Sequence, residues 1–478
     1  MERLLRDFRY GLRSLLKSPG LTIVATIALT FGIGLTTMMF SIVYGALLKG
    51  LPYPDGDRIV EVRRDQPSRG NTRMDSPVAE FEDFKAQQKS LDAFSAWYSG
   101  TVNVSGTGDA ERYRGAFVTA GTFELSRVQP VLGRAILPGE DVENGPRVAL
   151  IGYTMWQRRF GGDSAVVGTV IRANGQPYSI VGVMPEGYFF PDNAALWLPL
   201  QMARTPAVRT SGTWVTVAGR LKPGVTLDRA SAEFGDISKR FQVEHKETNE
   251  GITAYALGFV EAELGPEAYQ LLYTMLGAVF FVLLIACANV ANLLLDRAAH
   301  KTKEVGIRTA LGASRAAVVR QFLAEALVLA IVGAVAGTML AQFGIDAFNR
   351  AIIDTEPPFF IDIRLHPPVI AFTVGMALLA TLLSGLIPAI QSARADINEV
   401  LKDENRGSSS LRIGKMSKAL VTFEIALSCG LLVASGLMIK SVTKLRTMDP
   451  GFRTENMFTS RVGFPAGYTD TTMQRQFF

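Results

Sequence analysis

The chain of 478 residues is 48% hydrophobic and only 19% charged, with a formal net charge of +5. Soluble globular proteins carry roughly 25% charged residues, so this composition indicates membrane spans combined with a water-facing domain. It excludes disordered, collagen-like and coiled-coil proteins. The 2 cysteines and 3 widely separated histidines exclude a disulfide scaffold and argue against a metal centre built from these residues.

The first predicted element is an amphipathic helix in residues 1–20, lying in the cytoplasmic interface of a membrane. Apolar side chains recur there at helical spacing beside a basic face that contains Arg6, Arg9, Arg13 and Lys17. The dipeptide Pro19-Gly20 is expected to end this helix before the first span. The alternative is a basic flank of a signal peptide, but the apolar run that follows is too long for one.

Five apolar runs are long enough to cross a bilayer, which needs about 20 apolar helical residues. Four carry no charge, and the fifth contains one acid, Glu424. The runs occupy residues 21–48, 271–295, 326–345, 369–393 and 419–439. Lysine and arginine are concentrated in residues 1–20, 296–325 and 394–418, whereas residues 346–368 contain only Arg350 and Arg364. This bias predicts a cytoplasmic N-terminus and an exported position for residues 49–270.

The exported segment is predicted to be a mixed α and β domain. A short buried strand at Val148–Ile151 leads into a helix at Met155–Phe160, and a second helix covers Leu227–Phe241. Two β-rich runs joined by Asn174-Gly175 form the strongest hairpin signal. The segment contains no cysteine and no catalytic motif such as Gly-x-Ser-x-Gly or His-Glu-x-x-His. We therefore expect no enzymatic activity, no metal and no cofactor, and a role in binding or force transmission.

The cytoplasmic loop between the second and third spans is predicted to be a helical hairpin. Good helix formers precede Gly312, and the helical pattern starts again at Ser314. One interpretation is a solvated connector, and the other is a docking surface for a cytosolic partner. The candidate partner-contact residues are Lys303, Glu304, Arg308, Leu311, Gly312, Ala313 and Ser314. Because the sequence contains no phosphate-binding P-loop, ATP would act only through a partner subunit.

The first and fifth spans form an internal repeat. A shift of 398 positions places Ile27-Ala28-Leu29 on Ile425-Ala426-Leu427 and Gly32 on Gly430. The second copy ends soon after its span, so we expect residues 440–478 to begin a second, incomplete exported domain and the chain to be a fragment.

These motifs resemble the FtsX-like permeases of MacB-type ABC transporters, and the internal repeat is similar to the duplicated orphan permeases of that superfamily. The resemblance rests on the hairpin motif and on segments of the exported domain and fourth span, which are Leu132-Gly133-Arg134, Pro146–Tyr153, Trp156–Gly162, Asn174–Pro185, Gly385–Ala389 and Ala393–Ile397. It implies a multi-pass protein of the bacterial inner membrane whose large domain is periplasmic. It also implies a separate ABC ATPase that docks on the hairpin, with the N-terminal helix passing on its motion.

The predicted fold class is an α+β membrane protein, with about five transmembrane helices and a large mixed α/β exported domain inserted between the first two. The predicted segments are 1–20 interface helix, 21–48 first span, 49–270 exported domain, 271–295 second span, 296–325 coupling hairpin, 326–345 third span, 346–368 outer loop, 369–393 fourth span, 394–418 linker, 419–439 fifth span and 440–478 second exported segment.

The predicted function is the permease subunit of an ABC-type exporter or mechanotransmission complex. The alternative is an ATPase-independent membrane scaffold or sensor that binds an envelope partner. Expected partners are the lipid bilayer, the ATPase, and a periplasmic adaptor or a second permease copy, whereas no nucleic acid is expected.

Overall fold

The computed structural model describes residues 11, 13, 15–106, 108–202, 209–210, 213–300, 314–393 and 409–447, which fall into two compact units. The membrane unit contains the described residues up to Leu48, Ala268–Glu356, and the described residues from Asp362 onward. The exported unit contains Lys49–Glu267 and Pro357–Ile361.

Among the described residues, one long apolar helix comes first, five shorter helices follow, and four long apolar helices come last. They are α1 (Pro19–Val43), α2 (Val78–Gln87), α3 (Thr122–Ser126), α4 (Tyr153–Phe160), α5 (Leu227–Glu244), α6 (Lys246–Asn249), α7 (Phe259–His300), α8 (Arg315–Ile352), α9 (Pro367–Ala393) and α10 (Ser409–Arg446). A π-helical turn at Tyr44–Leu48 extends α1.

The strands all lie in the exported unit. They are β1 (Ile59–Gln66), β2 (Asn71–Met74), β3 (Ser76–Pro77), β4 (Leu91–Ser105), β5 (Glu111–Val118), β6 (Leu132–Gly133), β7 (Val148–Ile151), β8 (Val170–Ala173), β9 (Gln176–Val183), β10 (Leu196–Pro199), β11 (Trp214–Leu221) and β12 (Thr253–Gly258).

Five helical segments are long and apolar enough to cross a membrane: Pro19–Leu48, Phe259–Ala298, Arg315–Thr355, Pro367–Gln391 and Ser417–Ser441. Together with the exported sheet they confirm the predicted fold class. The helices extend past the apolar runs, since α8 begins at Arg315 rather than near residue 326. The extra turns carry charged side chains, which continue a helix in water as readily as apolar ones do.

The start of the first span agrees with the predicted break. Residues 15 and 16 are helical, a turn follows at Lys17, and α1 begins at Pro19. The Thr22 hydroxyl donates to the carbonyl oxygens of Leu15 and Ser18, at 2.8 and 2.9 Å, and holds the two segments together. Residues 1–10, 12 and 14 lie outside the described residues, so the remainder of the predicted interface helix stays a prediction.

Small residues bring α1 close to the other spans. A Cβ atom on Gly34 would lie 2.9 Å from the carbonyl oxygen of Gly337 in α8, so the two backbones cross in direct contact. The Thr37 and Thr373 hydroxyls share a buried hydrogen bond of 3.0 Å between α1 and α9. Close approach and interhelical hydrogen bonds replace the hydrophobic effect as the source of packing energy within a bilayer.

The fifth helix differs from the other spans. No residue of its apolar part, Ser417–Ser441, is buried against the rest of the described chain. The repeat therefore pairs α1, whose Leu29 and Ile33 are fully buried, with a helix whose corresponding Leu427 and Leu431 are not.

The exported unit is built on a mixed sheet. The strand order is β12-β1-β11-β4-β5-β10-β7-β9-β6, with β2 and β3 pairing at β1 and β11 and β8 bridging β4 and β9. The pairs β5–β10 and β7–β9 are parallel, and the other pairs are antiparallel. Trp197, which is fully buried, lies in one core cluster, and Phe234 of α5 lies in another.

The local predictions for this unit are confirmed. The strand β7 coincides with the predicted Val148–Ile151 and is buried along its whole length. The two predicted helices correspond to α4 and α5. The predicted hairpin is β8–β9, in which Ala173 pairs with Gln176 across the Asn174-Gly175 turn.

The turn itself supplies a stability prediction. Asn174 and Gly175 have φ values of 50° and 79°, as a type I′ turn requires, and open space surrounds the Cα of Gly175. A β-branched residue is strained at positive φ, so Gly175→Val should lower the unfolding free energy of the exported unit by about 1–2 kcal/mol. All 4 tryptophans belong to this unit, so intrinsic fluorescence during denaturation of the full chain reports on it.

Gly235→Ala is the matched control for this experiment. Gly235 lies within α5, and a new Cβ atom there would meet only ordinary contacts, the nearest at 3.7 Å. Alanine favours a helix by about 1 kcal/mol over glycine, so this variant should shift the transition in the opposite direction. Equal transitions for Gly175→Val and the wild type would contradict the turn assignment.

The chain leaves the exported unit through an interrupted helix. Within α7, Gly265 has φ 78° and ψ 161°, which is not helical, and Pro266 follows it. Glycine is required here by the backbone, because a residue with φ 78° and ψ 161° lies in a region that only glycine occupies without strain. The segment Phe259–Leu264 is thus separate from the long helix that begins at Pro266.

Candidate functional site

The predicted partner-contact hairpin lies mostly outside the described residues. This applies to Lys303, Glu304, Arg308, Leu311, Gly312 and Ala313, whose contact role stays a prediction. Ser314 is described, and it caps the N-terminus of α8, where its Oγ accepts a hydrogen bond of 3.3 Å from the Ala317 amide. The predicted restart of the helix at Ser314 is therefore confirmed, because serine satisfies an amide that the first helical turn leaves free.

The two helix ends that carry the hairpin pack on each other and on the fourth span. Ala298 of α7, Val318 and Phe322 of α8, and Ala389 of α9 form a small buried cluster. Phe322 is only 2% exposed. The base of the hairpin is thus anchored in apolar contacts among three spans.

A buried ion pair lies beside this apolar cluster. Nη1 of Arg297 in α7 is 3.5 Å from Oε2 of Glu325 in α8, and the two side chains are 8% and 1% exposed. A buried charge that loses its partner is strongly destabilising, so the pair fixes the register of α7 against α8. Arg297 and Glu325 bracket the hairpin on both sides.

The segment that precedes the first span also reaches this region. A Cβ atom on Gly11 would lie 3.5 Å from the Ala324 carbonyl group and from Cα of Glu325, so the backbone of this segment lies against α8. Leu15, 2% exposed, joins the core cluster formed by α1, α7, α8 and α9. The N-terminal segment and Arg297 of α7 therefore contact the same stretch of α8, around Glu325.

We call this region the hairpin base and define it by Gly11, Arg297, Ser314, Phe322 and Glu325. Its parts are held together by a helix cap, an ion pair and apolar contacts among α7, α8 and α9. In the part of the chain that the structure describes, no group of three or more His, Cys, Asp or Glu residues is placed to hold a metal ion.

Sequence reasoning did not find the ion pair. In the sequence, Arg297 is one of the basic residues of segment 296–325 that indicate the orientation, and Glu325 directly precedes the third apolar run. A signal was available, because two helices joined by a short hairpin are antiparallel, so residues at equal distance from the turn face each other. Opposite charges at such positions, each beside an apolar run, predict an ion pair.

Two family comparisons match most of the chain. Residues 22–237 match the MacB-like periplasmic core domain, and residues 276–397 match the FtsX-like permease C-terminal family. The second match contains the hairpin base from Arg297 to Glu325.

Two named relatives match this chain over only part of their own length. The pyoverdine export ATP-binding/permease protein PvdT of Pseudomonas syringae pv. syringae is 30% identical over 58% of this chain and 40% of its own length. The macrolide export ATP-binding/permease protein MacB of Campylobacter jejuni is 25% identical over 72% of this chain and 52% of its own length. The chain thus spans 40% to 52% of the length of these two relatives.

A solved structure, the periplasmic region of MacB from Actinobacillus actinomycetemcomitans, aligns with 45% of this chain and 94% of its own. Its sequence identity is 11% and the TM-score is 0.34.

Proposed function

Because the chain belongs to the family of FtsX-like permeases with a MacB-like periplasmic core domain, we propose that it is the permease subunit of an ABC-type exporter or mechanotransmission complex. A separate cytosolic ATPase would dock on residues 303–314, and its closure on ATP would displace the hairpin. The observation that carries the proposal is the buried Arg297–Glu325 pair at the hairpin base. It ties the two helices that hold the hairpin, so a force on the hairpin moves both helices together.

The proposal extends to location and partners. We place the chain in the bacterial inner membrane, with the N-terminus in the cytoplasm and the exported unit in the periplasm, as the lysine and arginine bias favours. A periplasmic adaptor would bind the exported unit, or a second permease copy would pair with the first. The relatives named above are export proteins, and export by this chain is proposed on that similarity.

The docking role is tested at Gly312. Gly312→Glu adds bulk and charge at a small-residue hairpin tip, outside the predicted spans, so insertion should survive while the ATPase dissociates. Loss of an interface hot spot weakens binding by about a hundredfold or more. The measurement is copurification of the ATPase from membranes that contain equal amounts of each permease.

Gly235→Glu is the matched control, since it makes the same change in the exported unit, at a half-buried helical position where a new Cβ atom meets only an ordinary contact at 3.7 Å. It should retain the ATPase. Retention of the ATPase by Gly312→Glu, or a wild type that never recruits one, would instead support the ATPase-independent scaffold or sensor.

The proposed orientation makes a labelling prediction. In a background with Cys287→Ala and Cys429→Ser, single cysteines at the exposed positions Glu143 and Ser314 should label oppositely with an impermeant thiol reagent. Glu143→Cys should react in intact spheroplasts, and Ser314→Cys only after the membrane is opened. Labelling of both positions from outside would refute the orientation.

A further inference from the structure

The exported unit contains a cluster in which one arginine contacts three carboxylates. Arg63 of β1 approaches Glu61 Oε2 at 2.6 Å, Asp75 Oδ1 at 2.6 Å and Glu263 Oε1 at 3.3 Å. Asp192, which is paired with Arg114 at 3.0 Å, is a fourth acid whose charge acts on Glu263. One guanidinium does not balance three carboxylates, so a carboxyl group that is fully buried in this cluster is favoured in its protonated form.

The geometry identifies Glu61 as the protonated group. Its side chain is fully buried, whereas Asp75 and Glu263 are 40% and 31% exposed. Arg63 satisfies Oε2 of Glu61, but no donor among the described residues reaches Oε1. The same Nη2 atom of Arg63 contacts Oε2 of Glu61 and Oε1 of Glu263, so the two carboxyl groups are neighbours, and a protonated Oε1 of Glu61 is available to donate to Glu263. This arrangement satisfies both oxygens of Glu61.

The pair joins two distant parts of the exported unit. Glu61 lies in β1, which is bonded to β11 on one side and to β12 on the other. Glu263 lies in the segment Phe259–Leu264, which ends at the non-helical Gly265. The carboxyl pair therefore connects the segment Phe259–Leu264 to the sheet. This segment is the last one before the long helix of the second span.

We propose that Glu61 and Glu263 share one proton, and that this proton latches the segment Phe259–Leu264 onto β1 until a rise in external pH releases it. Loss of the proton would place two carboxylates against each other in a cluster with a single positive charge. Opening the segment relieves this repulsion, because water then reaches both groups.

The direction of the pH dependence follows from Glu61. Burial raises its pKa well above the ordinary range, Arg63 opposes this effect, and the negative charge of Glu263 adds to it. Asp75, which accepts a hydrogen bond from Thr216, adds further negative charge nearby. A group whose folded-state pKa is raised stabilises the closed state at low pH, and this stabilisation is lost as the pH rises through the folded-state pKa. The latch is thus closed in acid and open in alkali.

The test is hydrogen exchange of amides 260–265 and 267 in the full chain in detergent, corrected for intrinsic exchange, between about pH 5.5 and about pH 8.5. Above the folded-state pKa the open population rises by up to about tenfold per pH unit. The wild type should therefore open several-fold more at the upper end of this range than at the lower end. Glu61→Gln keeps the shape, accepts from Arg63 and donates to Glu263 at every pH. Its opening should change less than about twofold.

Two further variants complete the test. Glu263→Gln removes the facing charge, so it should weaken the pH dependence while Glu61 remains. Glu267→Gln makes the same chemical change two residues past the break, on a side chain that is 81% exposed and pairs with Arg73 at the surface. It should keep the wild-type pH dependence. A wild type with no pH dependence, or Glu61→Gln with the wild-type dependence, would overturn the latch. The readout is local opening, so it does not depend on the proposed function.

Discussion

Glu325→Ala is expected to destabilise the membrane unit by about 3–5 kcal/mol, because it leaves the Arg297 guanidinium buried without the carboxylate 3.5 Å away. Cys287 provides the measurement. It lies in the core of the spans at 2% exposure, so in a Cys429→Ser background a thiol-reactive dye labels the chain only as the unit opens. In detergent, the temperature at which labelling is half-maximal should be markedly lower for Glu325→Ala than for the chain with Glu325.

Two variants distinguish the contribution of the ion pair to stability from the contribution of side-chain packing. Glu325→Gln keeps the shape and one acceptor, so it should lose less stability than Glu325→Ala. The double variant Arg297→Met with Glu325→Leu replaces both charges by apolar groups of similar size, and it should recover much of the lost stability. If Glu325→Ala labels like the wild type, the pair does not hold the hairpin base together.

Gly34→Leu should separate the first and third spans, with a cost of about 3 kcal/mol. Its Cβ atom would lie 2.9 Å from the carbonyl oxygen of Gly337 and 3.1 Å from the Gly337 Cα, so one backbone has to move. A flexible side chain can rotate away from a new neighbour, but a helix backbone cannot. The same Cys287 labelling should therefore begin at a lower temperature.

The matched control is Gly375→Leu in the fourth span. No described atom lies within 4 Å of a Cβ built at Gly375, so the same change of residue meets open space there. It should label like the wild type. Equal labelling of Gly34→Leu and Gly375→Leu would show that the close crossing does not contribute to stability.

The features that could be predicted from the sequence are those with local causes. Positive φ at Asn174-Gly175, the cap at Ser314 and the burial of Val148–Ile151 each depend on a few neighbouring residues. The apolar runs predicted the spans for the same reason, since the bilayer acts on each helix separately. The ends of the helices were predicted less accurately than the spans. For example, α8 extends into charged residues that hydropathy assigns to a loop.

The features that escaped prediction depend on pairing between distant segments. Glu61 meets Glu263 only because β12 returns beside β1, so the chain that follows β12 passes the same region. Arg297 meets Glu325 only because α7 and α8 are adjacent and antiparallel. Nothing in the neighbouring sequence of Glu61 distinguishes it from a solvated acid, and its burial follows from the two strands on its flanks.

The interruption at Gly265 has a mechanical consequence for the second span. An unbroken helix passes on both tension and torque, because its hydrogen-bond ladder ties each turn to the next. A residue with φ 78° and ψ 161° interrupts the helical geometry, and the Pro266 that follows it has no N–H to donate to the ladder. Torque is therefore passed less well through Gly265 than through an unbroken helix, whereas tension along the chain is still carried by the covalent backbone.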